Sequence, residues 1–245
     1  MERKTVEVGR RTVSYLTGGN LSKAPLVLLH GWSMDASTLK KLGVLLEERY
    51  NVFIPDLPGF GGSDRLEAAT FASFAEFVQR FISALGLTSV TLVGHSMGGG
   101  VAIKVAASHP ESIDSIVLMN SAGLTQERSL LGWVLAAVKK TIRGFGENPR
   151  RAAKSIVTAG KNMRRPVWLL KTYRMITAAA MEDDEIRKIT TFGEVEVVVI
   201  QVEKDDFFQD QLSMAQVFGV KAINLEGSHD LPILRPAEVA IELLR

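Results

Sequence analysis

A doubly wound, mostly parallel α/β sheet with one helical insertion is the fold class that the sequence predicts. Three observations predict it. Short apolar runs without polar alternation recur at Leu26–Leu29, Val52–Ile54, Ser89–Val93, Ser115–Met119, Val195–Val202 and Lys221–Leu225. Such runs suit strands buried on both faces. Helical periodicities lie between several of them, as the strand–helix–strand repeat of such a sheet requires. One long stretch, from Leu124 to Thr191, has no strand pattern.

Taken in order, Thr5–Val8 and Thr12–Leu16 alternate apolar and polar residues around Gly9-Arg10, which reads as a β-hairpin. The next runs end at His30-Gly31, Pro55-Asp56, Gly94 and Asn120. Phe71, Phe74, Phe77, Val78, Phe81, Ile82 and Leu85 fall at helical spacing behind Thr70, an N-cap residue type. Met97–Ser108 reads as a helix stopped by Pro110, and Pro236 as the first residue of a last helix through Leu244. In the strandless stretch, Trp133, Val134, Ala137 and Val138 suggest one helix, and Val167, Leu170 and Tyr173 another. The expected organisation is a core of residues 1–123 and 192–245 with a helical cap at 124–191. No internal repeat or low-complexity linker interrupts it.

The chain has 245 residues, is 46% hydrophobic and carries a formal charge of +2. That length accommodates one large core with an insertion. With no cysteine, disulfides and thiol or Cys-metal chemistry are excluded. The segment Met1–Arg11 lacks the apolar region of a signal peptide, and no apolar run reaches the length of a membrane span. A soluble, cytoplasmic protein is the expectation.

Gly94-His95-Ser96-Met97-Gly98 fits G-x-S-x-G. The five-mer alone is weak, since it arises by chance in roughly one chain in ten of this length. Its setting is what matters: it follows an apolar strand and opens a helix, as a nucleophile elbow does. A serine hydroxyl needs a base to take its proton. Of the four histidines, His30 ends the first core strand, His95 adjoins the serine on another side of the turn, and His109 lies at the far end of the following helix. His229, in Gly227-Ser228-His229-Asp230 after the last strand, remains as general base. A carboxylate must hold its tautomer, and with a nucleophile elbow the chain order is Ser, acid, His. Glu203-Lys204-Asp205-Asp206 follows the fifth run; Asp205 is preferred as nearer the strand end, with Asp206 as the fallback. The alternative acid position after the preceding strand holds Asn120 and Ser121. The oxyanion hole is expected from the backbone N–H groups of Met97 and Trp32, the latter in His30-Gly31-Trp32.

These pieces resemble the α/β-hydrolase superfamily over essentially the whole chain. The matching segments are Leu28-Leu29-His30-Gly31-Trp32, Asp56-Leu57-Pro58-Gly59-Phe60-Gly61-Gly62-Ser63-Asp64, the elbow, and Gly227-Ser228-His229. The second is a glycine-rich turn like that of esterases and carbon–carbon bond hydrolases in the superfamily. It is no phosphate loop, because no Lys-Ser/Thr follows its last glycine. Dehalogenases and epoxide hydrolases of this fold use Asp where this chain has Ser96. One position departs from the pattern: relatives usually carry a glycine near the acid loop, where this chain has Val202, and the choice between Asp205 and Asp206 stays open.

The resemblance implies that the insertion is a cap that sets the substrate. Between Arg128 and Arg174 there are twelve basic residues and one acid, Glu147, so this stretch is strongly positive while the rest of the chain is net negative. Apolar residues interleave with the charges. The readings are a solvated helical face, a surface for an anionic membrane, or a dock for an acidic acyl-carrier protein; nucleic acid is not expected, as no nucleic-acid motif accompanies the charge. The expected function is a carboxylesterase or lipase acting through an acyl-enzyme, without metal or organic cofactor. The alternatives are carbon–carbon bond or peptide hydrolysis by the same triad, or a low-turnover receptor on the same fold.

Overall fold

The computed structural model describes residues 1–123, 130–162, 165–177, 189, 195–203, 205, 207 and 214–245. The apolar runs become the strands of one eight-stranded sheet. Its strands are β1 (Glu2–Val8), β2 (Arg11–Gly18), β3 (Pro25–Leu29), β4 (Asn51–Pro55), β5 (Val90–His95), β6 (Ile113–Met119), β7 (Glu196–Val202) and β8 (Ala222–Leu225). Their order is β1-β2-β4-β3-β5-β6-β7-β8. The β1–β2 hairpin turns at Gly9-Arg10 and joins β4 antiparallel; β3 to β8 are parallel.

Helices cover both sheet faces. On one lie α2 (Phe71–Ala84) and α3 (Met97–Ser108); Phe74, Phe81 and Val101 are fully buried there with Val27, Leu29 and Leu92. The start of α2 is fixed by a reciprocal pair of hydrogen bonds between Thr70 and Ser73. On the other face lie α1 (Ala36–Leu46) and α9 (Pro236–Leu243), with Leu39, Leu42 and Val239 packed with Leu26, Leu28 and Ile54. Two short helices, α7 (Met214–Phe218) and α8 (Leu231–Leu234), complete this part. The α1 helix begins where Asp35 accepts from Ser37 N at 2.9 Å.

Between β6 and β7 the chain forms α4 (Leu130–Glu147), α5 (Pro149–Asn162) and α6 (Pro166–Thr177). These inserted helices are tied to core loops by polar contacts. Trp168 Nε1 donates to Pro58 O at 2.9 Å, and Arg165 to Gly59 O at 2.7 Å. Asn162 Nδ2 donates to Ser33 O and Met34 O at 2.9 and 3.1 Å, and Arg151 donates to Leu234 O at 2.9 Å. The glycine-rich turn after β4 is therefore a docking platform. A Cβ on Gly59 would lie 2.2 Å from Trp168 Nε1. The turn is organised by buried Asp56, which accepts from Ala36 N and Gly62 N at 2.7 and 2.9 Å and pairs with Arg3 at 2.7 Å.

The expected helix around Val167, Leu170 and Tyr173 forms, but it buries another face. Trp168, Leu169, Thr172, Met175 and Ile176 point inward, and Val167 and Leu170 are exposed. Among the described residues no helix is long and apolar enough to cross a membrane.

Candidate active site

The chain runs from β3 outward to β4 on one side and then crosses back to β5 on the other, so the carboxyl ends of β3 and β5 flank the point where the winding reverses. In such sheets the crevice outside that point is where ligands bind. Ser96 sits there, directly after β5, with φ 53 and ψ −119. A non-glycine residue in this region is strained by about 1–3 kcal/mol and persists only if its surroundings hold it. Here Ser96 N donates to Met119 O at 3.1 Å, and Ser96 O accepts from Gly99 N and Ala122 N at 2.9 Å. The turn is tight enough to require its glycines. A Cβ on Gly94 would lie 2.5 Å from Gly98 O, and one on Gly98 would lie 2.4 Å from Leu29 O.

His229 and Asp205 are brought together from two loops at the same sheet edge. His229 Nδ1 lies 2.8 Å from Asp205 Oδ2 and 3.0 Å from Oδ1. A carboxylate only accepts, so Nδ1 carries the proton and Nε2 is left with the lone pair. Asp205 also accepts from Phe207 N at 2.7 Å, and the Phe207 ring packs edge-on to the imidazole at 4.8 Å. Asp206, the fallback acid, lies outside the described residues.

Asn120 has a positioning role that sequence reasoning missed. At the end of β6 its side chain donates to His229 O at 2.9 Å and accepts from Val202 N at 3.0 Å. It thereby ties the His229 loop to the strand that leads into Asp205. Its place at the carboxyl edge of a core strand, where relatives can carry the acid, is the signal that could have found it.

His95 does not simply face another side of the turn. Its Nε2 bonds His229 O at 2.9 Å, its ring lies 5.1 Å from that of His229, and its buried Nδ1 has no hydrogen-bond partner among the described residues. Burial, followed by the neighbouring His229, pushes its pKa down to about 4, so it is neutral at pH 7. His30 is a satisfied core histidine. Nε2 accepts from Leu57 N and Nδ1 bonds Gly31 O, both at 2.9 Å, and burial lowers its pKa. His109 is remote, beside Glu76 and Glu111.

The two expected oxyanion donors flank the serine. Met97 is the first residue of α3, where N–H groups lack intrahelical acceptors. Gly31 packs against the elbow, where a Cβ on it would lie 3.3 Å from Ser96 Cβ, and the next residue, Trp32, lines the same cavity as Ser96. The Trp32 indole turns the other way and donates to Thr172 Oγ1 at 2.9 Å, adding a further tie to α6.

Ser96, His229 and Trp32 line one cavity of about 780 Å³, roofed by α4, α5 and α6. Its walls are largely apolar, with Leu169 and Ile176 among them. The cation on its wall, Lys140, is held 3.1 Å from buried Asp230. Burial alone would raise the Asp230 carboxyl, yet Lys140, His229 and His95 together bring it below its ordinary value. His95, His229 and Asp230 are close enough to share a cation, but Lys140 already neutralises that carboxylate.

A family model described as alpha/beta hydrolase fold matches residues 24–154, more than half of the chain. The chain belongs to the α/β-hydrolase family. It is 34% identical over 107 residues to an uncharacterized protein of Mycobacterium tuberculosis, a stretch covering 43% of this chain and 31% of that one. It is 35% identical over 112 residues to Lipase 1 of Psychrobacter immobilis, covering 44% and 35%. The matched stretch thus spans about a third of the length of these curated relatives. The crystal structure of a membrane phospholipase A, a bacterial virulence factor, superimposes with a TM-score of 0.81 at 23% identity, over 99% of this chain and 84% of that one. At that identity the likeness concerns the fold.

Proposed function

We propose that this α/β hydrolase is a serine esterase that cleaves a carboxylic ester with an apolar acyl group. The observation that carries the reading is the buried Asp205–His229 pair, at 2.8 Å, whose imidazole lines the same apolar cavity as the strained Ser96. In the mechanism that follows, Asp205 holds His229 as the Nδ1–H tautomer. His229 Nε2 takes the Ser96 proton as Oγ attacks the ester carbonyl. The Trp32 and Met97 N–H groups stabilise the oxyanion, a contribution of about 3 kcal/mol for each such donor. His229 then protonates the departing alcohol, and water deacylates Ser96 by the same route.

Residues 124–191 form the cap in this reading, with α4–α6 closing the acyl pocket. Its anchors at Pro58, Gly59, Ser33 and Leu234 favour a fixed roof over a swinging lid. The likeness to Lipase 1 agrees with a lipid-like ester. Turnover of p-nitrophenyl esters of increasing chain length tests the proposal. Activity that favours medium or longer acyl chains and disappears in Ser96→Ala supports it. Ester turnover that survives Ser96→Ala, or none in the wild type, rejects it.

A further inference from the structure

The cavity opens on an apolar rim. Ile156 and Gly160 on α5, and Pro166 and Leu170 on α6, are each both exposed and part of the cavity lining. Beside them, on the outer surface of the same helices, Val157 is 58% exposed and Val167 67%. On α4, Ala137 and Thr141 line the cavity, while Leu135, Val138, Ile142 and Phe145 form an exposed stripe at helical spacing along its outer side. Aliphatic side chains are thus presented to solvent on all three helices around the mouth. A surface of that kind needs an apolar phase to cover it.

Its charge says which. Lys139, Arg150, Lys154, Lys161, Lys171 and Arg174 are exposed on these helices, and among the described residues none is paired with a carboxylate. The acid in this stretch, Glu147, has both carboxylate oxygens buried. The α5 helix points inward with small and polar residues, Ala152, Ser155 and Thr158, and outward with Ile156, Val157, Lys154 and Lys161. Apolar side chains interspersed with exposed cations are the pattern of a segment that sits at an anionic lipid–water interface.

We propose that the outer face of α4–α6 docks on an anionic lipid surface and draws its ester from that layer through the mouth between α5 and α6. The proposal rests on the esterase reading for what enters the mouth, but not for the docking itself. Acyl chains leaving the layer meet Ile156 and Leu170 first and then the apolar wall that leads to Ser96. An acidic carrier protein would satisfy the cations but would leave Val157, Val167 and the α4 stripe uncovered.

The test is co-sedimentation of full-length Ser96→Ala protein with vesicles of phosphatidylglycerol and phosphatidylcholine in equal parts, against phosphatidylcholine alone. The expected result is partition onto the anionic vesicles at least about tenfold stronger, weakened as salt rises from about 0.1 M to about 1 M. Replacing Lys154, Lys161 and Lys171 by Gln should reduce it by roughly a hundredfold, since each basic residue at such a surface contributes about fivefold. Val157→Ser with Val167→Ser should weaken it without changing the salt dependence. In an otherwise wild-type chain, both sets should keep the turnover of a short soluble ester and an unchanged melting temperature. Equal partition onto the two vesicle types, anionic binding untouched by both sets, or binding of an acidic protein with none to vesicles would overturn the proposal. Because Ser96→Ala reports the docking, loss of the esterase reading and loss of this one are told apart.

Discussion

His95→Gln isolates one buried titration beside the candidate triad. His95 is 1% exposed, and burial lowers its pKa from 6.5 to about 4. The direction of the effect follows from linkage. Between these values the unfolded chain binds a proton that the folded chain refuses, so stability falls with falling pH through this window and is unaffected above about pH 7. At about 1.36 kcal/mol per pH unit the full effect is about 3 kcal/mol, of which about 2 kcal/mol is felt by pH 5. Glutamine can still donate to His229 O but has no proton to gain. Urea unfolding of both proteins at pH 7.5 and pH 5 is the assay. The wild type should lose about 2 kcal/mol more than His95→Gln between the two pH values. Other titrating groups, His30 included, contribute to both proteins and cancel. Parallel losses would mean that His95 accepts its proton in the folded state as readily as in water, against this prediction.

Three further perturbations probe the site and its scaffold. Asp205→Asn should lower kcat about a thousandfold or more while leaving the melting temperature within a few degrees, as steady-state kinetics and calorimetry would show. Gly98→Ala places a Cβ 2.4 Å from Leu29 O, a backbone atom that cannot swing away, and should destabilise the fold by about 2 kcal/mol or more in urea titration. Lys140→Met leaves the Asp230 carboxylate buried and unpaired and should cost about 3 kcal/mol; adding Asp230→Leu should recover most of it, and a double-mutant cycle measures the coupling.

Much of this fold was legible in the sequence where local chemistry and tertiary packing agree. Thr70 and the phenylalanines behind it announce α2, and Pro110 marks the end of α3. The inserted α5 was not read because it inverts the usual pattern. Its buried positions are Ala152, Ser155, Thr158 and Asn162, and its Ile156 and Val157 face solvent. The α1 helix was also missed, although Asp35 and the spacing of Leu39, Leu42 and Leu46 carried the signal. At the site, elimination among four histidines left His229, and chain order left Asp205 or Asp206. Side-chain direction then distinguishes partners in a way that spacing cannot, and the Asp205–His229 contact depends on two loops from different strands. The Lys140–Asp230 pair is hidden for the same reason, since its members lie far apart in sequence.

The proposed role of Ser96, a nucleophile served by His229, is open to chemical labelling. Its most direct test is intact-protein and peptide mass spectrometry after treatment with a fluorophosphonate. The expected result is a single adduct on the peptide containing Ser96, formed far more slowly in His229→Ala and absent in Ser96→Ala. An adduct on another residue, or ester turnover by a protein whose Ser96 stays unlabelled, would contradict it.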